Sequence, residues 1–171
     1  MSTVFPAEYI DVAARTPQLS AGLLIHRNTA LGVEVLLAHP GGPLWARKDD
    51  GAWSIPKGLV EDGEELLVAA RREFAEEIGQ TAPDGEVIEL GEVRLKSGKR
   101  VVAFAIDGDL DVSVVTSNTF EMPWPPRSGK TQAFPEIDRA EWFSPDDARR
   151  KLNPAQVAFI DRLLENLSPK P

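Results

Sequence analysis

The chain has no cysteine, only two histidines, and a single tyrosine in 171 residues. Without cysteine there is neither a disulfide framework nor thiol chemistry. The two histidines, His26 and His39, sit at the ends of strand-like segments. Such a position more often makes a surface or turn residue than a catalyst, and neither is given a role. No apolar run approaches the roughly 20 residues that a membrane span needs, and no signal peptide is evident. A cytoplasmic protein with no membrane partner is therefore expected. Positive charge is also scarce: 19 basic against 27 acidic residues leave a net charge of −8. That balance disfavours tight, nonspecific binding to nucleic-acid backbone, so a nucleic-acid duplex is not an expected partner. A small anionic substrate would need local basic groups and a metal. What remains is ordinary for a soluble globular protein, with 42% apolar and 27% charged residues. The length suits one domain with a sizeable core. Residues 1–19, with Pro6 and Pro17 and no clear period, read as an N-terminal arm, and residues 20–168 as a single domain. No internal repeat is visible.

The most informative stretch runs from Gly58 to Gln80. Its first half is turn-rich and its second half has the period of a helix. Asp62 is placed as the N-cap with Glu65 three residues on as a capping-box partner, and Gly79 closes the helix. Leu67, Ala70, Phe74 and Ile78 form one apolar stripe that should face a core. Glu73, Glu76 and Glu77 fall within roughly 100° of one another on a different face. Like charges one turn apart destabilise a bare helix, so three converging carboxylates call for a counter-charge. Arg72 supplies part of it. A hard divalent cation such as Mg²⁺, which takes carboxylate oxygens together with substrate phosphates, would supply more. For an arbitrary charge run, a solvated helix face is the usual outcome.

Here the pattern is more specific. Gly58, Glu64, Arg72, Glu73, Phe74, Glu76, Glu77 and Gly79 resemble the signature box of the Nudix hydrolases, at every spacing. A chance match in one chain is on the order of one in a million. The single departure is Gln80, where the box has an apolar residue, a packing position rather than a chemical one. The resemblance implies an α/β fold, an α/β/α sandwich around a mixed β-sheet. It implies a metal-dependent pyrophosphohydrolase using Mg²⁺ or Mn²⁺. Glu73 and Glu77 would be the main metal ligands, Glu76 and the Gly58 carbonyl would complete the shell, and Glu64 and Arg72 would support them. Members of the family differ in which carboxylate is the general base, so Glu73 and Glu136 are both candidates.

The rest of the chain offers further candidates. Ser20 to His26 and Val33 to Ala38 read as strands around a turn at Asn28 to Gly32. A loop from His39 to Gly51 carries Trp45, which either stacks on a base or packs down as a lid. Ala52 to Pro56 reads as a short strand. The lead-in from Trp53 through Gly58 is similar to that of Nudix enzymes acting on dinucleoside polyphosphates and diphosphoinositol polyphosphates. It makes Lys57 a candidate phosphate contact as well as a plain turn residue. Val87 to Lys96 and Arg100 to Ile106 suit a hairpin whose basic tip includes Lys96, Lys99 and Arg100. Ser117 to Phe134 reads as a long proline-rich loop, and loops of that length are often functional. Trp124, Arg127 and Lys130 give it a stacking ring and two phosphate-capable cations. Glu136 precedes a strand-like segment, Ser144 caps a helix with Pro145 at its first position, and Asn153-Pro154 opens a last helix with Val157, Ile160, Leu164 and Leu167 along one face.

Together these point to hydrolysis of a diphosphate linkage in a nucleoside or dinucleoside polyphosphate. A diphosphoinositol polyphosphate hydrolase, a general nucleoside triphosphate pyrophosphatase and a non-catalytic nucleotide-binding module are the alternatives. The intact box argues against the last. The partner is a small phosphorylated substrate, and a monomer or a homodimer suits the chain equally.

Overall fold

The computed structural model describes residues 18–171. The proposed N-terminal arm lies outside the described residues except at its end. There the Gln18 carbonyl accepts from Arg100 N (3.0 Å), and Leu19 already begins the first strand.

That strand, β1 (Leu19–Thr29), is the axis of a six-stranded mixed sheet. It pairs antiparallel with β2 (Gly32–Pro40) across the expected Asn28–Gly32 turn and parallel with β5 (Arg100–Asp107). The order is β4–β5–β1–β2–β8, where β4 is Val87–Arg94 and β8 is Ile137–Phe143. A three-residue strand, β3 (Lys57–Leu59), pairs with the start of β1. Alternation along β1 divides the core. Ala21, Leu23 and Ile25 face α1 (Leu66–Ile78), packing with its Ala69, Ala70, Phe74 and Ile78. Leu24 faces the other side, with Trp53, Ile55, Phe159, Ile160 and Leu163. That second layer is α2 (Pro145–Lys151) and α3 (Val157–Leu167). The α/β/α sandwich expected from the sequence is thus present.

Several local expectations are corrected. Asp62 does not cap α1. Glu64 N bonds the Glu61 carbonyl (3.0 Å), and Gly63 takes a left-handed φ of 73°. This tight turn leaves Asp62 exposed before the helix and puts Glu65 at the cap position with no side-chain bond. Gly79 closes the helix as expected, at φ 78°. Gln80 fits because its amide donates to the Asp111 carbonyl (2.8 Å). The strand placed at Ala52–Pro56 is only two isolated bridges, Ser54 with Ala38 and Trp53 with Leu152. Pro56 has no N–H to extend a ladder, and continuous pairing begins at Lys57.

The long proline-rich loop contains a two-stranded antiparallel hairpin, β6 (Thr119–Pro123) and β7 (Thr131–Pro135). Its prolines stand at the strand ends and in the turn, where a missing N–H costs nothing. Ser144 caps α2, its hydroxyl accepting from Asp147 N (3.2 Å). Asn153-Pro154 opens a short 3₁₀ turn rather than α3 itself. The buried face of α3 is Phe159, Ile160 and Leu163, rotated from the expected stripe, and Leu167 is exposed. Both histidines are buried, not at the surface. His39 lies between Asp138 Oδ1 (2.9 Å) and the Lys48 carbonyl (2.7 Å), partners that secondary-structure reasoning does not bring near it. Among the described residues no helix is long and apolar enough to cross a membrane.

Candidate active site

The site forms where β3 crosses the middle of α1. Gly22 on β1 allows the Pro56–Lys57 segment to lie close against it: a Cβ there would lie 2.7 Å from the Pro56 carbonyl oxygen and 2.8 Å from Lys57 Cβ. Gly58 allows the second close approach. A Cβ on Gly58 would stand 1.9 Å from Glu73 Oε2, so the Glu73 carboxylate rests directly on this backbone. One turn further along α1, Glu77 Oε2 accepts from Lys57 N (3.1 Å).

Arg72 organises the rest. Its Nε and Nη2 donate to both oxygens of Glu64 (2.8 and 2.9 Å), the bidentate geometry that suits a planar guanidinium. Nη2 also reaches the Leu59 carbonyl (2.9 Å), while Nη1 donates to Glu73 Oε1 (2.8 Å) and more weakly to Glu76 (3.4 Å). Arg72 therefore fastens the turn before the helix to the helix and holds two of the box carboxylates. Its hydrogen bonds keep Glu64 down at about 2, fully charged.

Glu136 is delivered by backbone bonds. Asn118 N donates to the Glu76 carbonyl (3.0 Å), Glu136 N to the Asn118 carbonyl (2.9 Å), and Gly41 N to the Glu136 carbonyl (2.9 Å). The root of the β6–β7 hairpin is thereby tied to α1, and Glu136 joins the cluster. Its proton is held above the usual carboxylate range by partial burial and then by the charges of Glu73 and Glu76. Glu77 is pushed up further, first by burial and then by Glu136 and Glu73, against the opposing pull of Lys57. Burial lowers Lys57, and the charge of nearby Lys99 acts in the same direction.

Glu77 and the exposed Glu136 thus each feel the charge of neighbouring carboxylates, Glu73 in both cases and Glu76 for Glu136. Among the described residues, no three acidic or imidazole side chains stand in a geometry that closes round an ion. Arg72 and the Lys57 N–H hold the carboxylate oxygens instead. The donor set nonetheless fits a hard divalent cation. Every candidate ligand is an oxygen, the ligand charge is only partly compensated by Arg72, and the Glu73 carboxylate lies against the Gly58 backbone.

The other expected residues lie further out. Arg127 and Lys130 are exposed on the β6–β7 hairpin, and among the described residues their side chains make no ion pair. Arg127 takes a φ of 62°, left-handed and uncommon for a side chain of its kind. Trp124 is half-buried at the end of β6. Lys57, by contrast, adjoins the carboxylates, its backbone N–H held by Glu77 Oε2. Two contributors were not visible in the sequence. Asn118 acts through its backbone, which no side-chain pattern announces. Gln156, fully buried, accepts from Ile55 N (3.0 Å) and donates to Ser54 Oγ (3.0 Å), bracing the segment that leads to Lys57. A lone glutamine before an apolar helix gives no such signal.

Comparison with known proteins bears on the family and the fold. The NUDIX domain family model matches residues 16–163. A curated relative, the RNA pyrophosphohydrolase of Caulobacter vibrioides, is 45% identical over 64 residues, covering 34% of this chain and 37% of that protein. The match thus spans little more than a third of the relative's length. Among solved structures, a C. elegans Ap4A hydrolase binary complex aligns with a TM-score of 0.60 at 21% identity, over 86% of this chain and 97% of that one. The NUDIX domain of Shewanella oneidensis NrtR, complexed with ADP ribose, aligns with a TM-score of 0.63 at 15% identity, over 96% and 100%. A MutT protein from Methanosarcina mazei aligns with a TM-score of 0.59 at 24% identity, over 91% and 99%. At such identities the likeness is one of fold. The family model covers most of the chain, and the chain belongs to the NUDIX domain family.

Proposed function

We propose that the protein hydrolyses a diphosphate linkage in a nucleoside polyphosphate or dinucleoside polyphosphate, with Mg²⁺ or Mn²⁺ bound by Glu73, Glu76, Glu77 and the Gly58 carbonyl. The observation that carries this reading is the gathering of Glu73, Glu76, Glu77 and Glu136 within electrostatic reach of one another, with Arg72 and Lys57 as neighbouring cations. A site built to hold an organic anion would not gather four carboxylates. A site built to receive an anion together with a divalent cation would. When bound, the cation neutralises phosphate charge and raises the acidity of water.

The chain's own groups supply the remainder. Arg72 holds Glu73 and Glu76 in place and fixes Glu64 across the turn. Lys57, beside Glu77, meets a phosphate oxygen of the substrate. Water adds to one phosphorus, the bond to the bridging oxygen breaks, and the proton passes to a carboxylate base, Glu136 or Glu73. Glu136 suits the role because its proton affinity is raised, which favours proton acceptance nearer neutral pH. Trp124, Arg127 and Lys130 grip the distal part of the substrate. The products are a nucleoside phosphate and a shorter phosphate chain.

The 45% identity to the protein named RNA pyrophosphohydrolase favours a second reading, in which RNA carries the linkage. The test is a hydrolysis panel of nucleoside triphosphates, dinucleoside polyphosphates, diphosphoinositol polyphosphates and triphosphorylated RNA, each with Mg²⁺, Mn²⁺ or excess chelator. Cation-dependent release of phosphate or diphosphate from a nucleotide is expected. Undiminished hydrolysis in chelator refutes the metal assignment, and no hydrolysis of any member refutes the enzyme.

A further inference from the structure

On the far side of Lys57 from the carboxylates lies a pocket of about 160 Å³, lined by Trp45, Trp53, Ser54, Lys57, Leu95 and Gln156 among others. It is about half the smallest volume typical of sites for drug-sized ligands, roughly 300 Å³, so it takes a fragment rather than a whole nucleotide. Trp45, 38% exposed, lines one side, with the Lys48 ammonium 4.7 Å from its ring centroid, and the aliphatic Leu95 lines another. Lys57 stands between the pocket and the carboxylates, and the charge of Lys99 reaches it from the β4–β5 turn.

The deep part is polar and fixed. Ile55 N donates to Gln156 Oε1, which sets the amide orientation, and one Nε2 hydrogen goes to Ser54 Oγ. The second Nε2 hydrogen has no partner among the described residues, although the residue is only 1% exposed. The Trp45 wall is held in advance. Trp45 N bonds the Gly42 carbonyl (3.3 Å), Lys48 N bonds the Trp45 carbonyl (2.9 Å), and His39 fastens the Lys48 carbonyl (2.7 Å). A wall already ordered binds without the cost of ordering it.

We propose that this pocket is the subsite for the substrate's nucleobase, with Trp45 as the stacking residue and the phosphate chain running from it past Lys57 to the carboxylates. The inference rests on the diphosphate-hydrolase reading above and sharpens it. A flat heteroaromatic ring uses an indole face, an aliphatic wall and a spare amide N–H together. An inositol polyphosphate, a saturated ring surrounded by anions, gains nothing from the first two and would need more cations than Lys57 and Lys99. The structure therefore favours nucleotides over inositol substrates, and Trp45 over Trp124 as the ring that stacks.

The test is equilibrium binding by calorimetry, with the full chain and Mg²⁺. The probes are analogues of ATP and GTP blocked at both anhydride bridges, α,β-methylene and β,γ-imido, and, separately, inorganic tripolyphosphate. Trp45→Ala should weaken at least one imido analogue roughly ten-fold or more while leaving tripolyphosphate within about two-fold, the contrast expected when one stacked base is lost. Trp45→Phe should restore most of the loss. An equal loss for nucleotide and tripolyphosphate overturns the proposal. So does no loss, or a nucleotide-selective loss seen with Trp124→Ala and not with Trp45→Ala. Because the imido analogues report binding without turnover, the outcome is independent of whether hydrolysis is found. A protein that cleaves nothing yet shows the Trp45-dependent contrast keeps this inference and loses the hydrolase reading.

Discussion

The carboxylate cluster and the β6–β7 hairpin share a root but differ in how they are held. The cluster is tied together from β3, α1, the Asn118 segment and the start of β8, and Arg72 alone makes contacts to Glu64, Glu73, Glu76 and the Leu59 carbonyl. The hairpin begins where Asn118 and Glu136 bond each other and then projects as its own two-stranded sheet, with Phe120 and Phe134 packed against one another at 6.1 Å. Its cations, Arg127 and Lys130, are exposed. A cluster held from many directions keeps its geometry before substrate arrives. That arrangement suits groups acting on the reacting atoms, where small misplacements are costly. A hairpin braced at its base suits a grip that adapts to the length of what it holds. Substitutions in the first region should therefore lower turnover, and those in the second should raise the Michaelis constant.

The largest effect should come from the general base. Glu136→Gln is expected to lower turnover by ~10²–10⁴-fold with cation affinity nearly unchanged. Wild-type turnover in this variant, measured under saturating substrate and Mg²⁺, would return the role to Glu73. Next comes Glu77→Gln, which keeps shape and removes charge from the most buried of the four carboxylates. A loss of at least ~10²-fold is expected, with the fold intact by circular dichroism. A loss under about three-fold would remove Glu77 from the ligand set and blur the distinction between the two regions.

The partly compensated charge makes a third prediction, about stability. Glu77 and Glu136 hold their protons more tightly when folded than when unfolded. As pH rises past the ordinary carboxylate value, the unfolded chain gives up these protons first. Without a divalent cation, folded stability should fall over that interval. Lys57 acts in the opposite sense below its ordinary 10.5, because burial lowers it. Mg²⁺ should cancel the carboxylate contribution, so its stabilisation should grow from pH 5 to pH 8. At about a hundred-fold excess over the dissociation constant it is worth roughly 2.7 kcal/mol, or a melting shift of about 5–10 °C. A shift equal at both pH values, or equal in Glu77→Gln, would mean that the cation binds elsewhere.

The two regions also differ in how far they could be read from sequence. Glu73, Glu76, Glu77 and Arg72 lie within six consecutive positions of one helix, so its period alone puts them together. The fold followed from β1, β2 and the β4–β5 hairpin, whose alternation and turns are local. Other features depend on contacts across a hundred residues. Gln156 meets Ile55, and His39 meets Asp138, through chain closure that no short pattern encodes. The β6–β7 hairpin was concealed because Pro123, Pro125 and Pro126 read as strand breakers, although they stand at the strand end and in the turn. Asp62 read as a cap because its residue type fits, yet the Gly63 turn took the chain past that position.

The smallest effect should come from the hairpin, and it bears most directly on the contrast between the two regions. Arg127→Ala removes an exposed cation with no ion-pair partner among the described residues, so folding should be unaffected. If Arg127 grips a distal phosphate, its loss weakens ground-state and transition-state binding alike, raising the Michaelis constant and sparing turnover. Contacts of exposed charges are individually weak, so a change of a few-fold to roughly ten-fold is expected. It should grow with phosphate-chain length, because longer chains reach further from the carboxylates toward the hairpin. Steady-state kinetics on nucleoside di-, tri- and tetraphosphates at one ionic strength would measure this. Raising salt should shrink the difference between wild type and variant, as it does for any exposed charge. If the variant matches wild type on every chain length, the hairpin is structural. The substrate then lies wholly between Trp45 and the carboxylates, and a shorter nucleoside diphosphate derivative becomes the better fit.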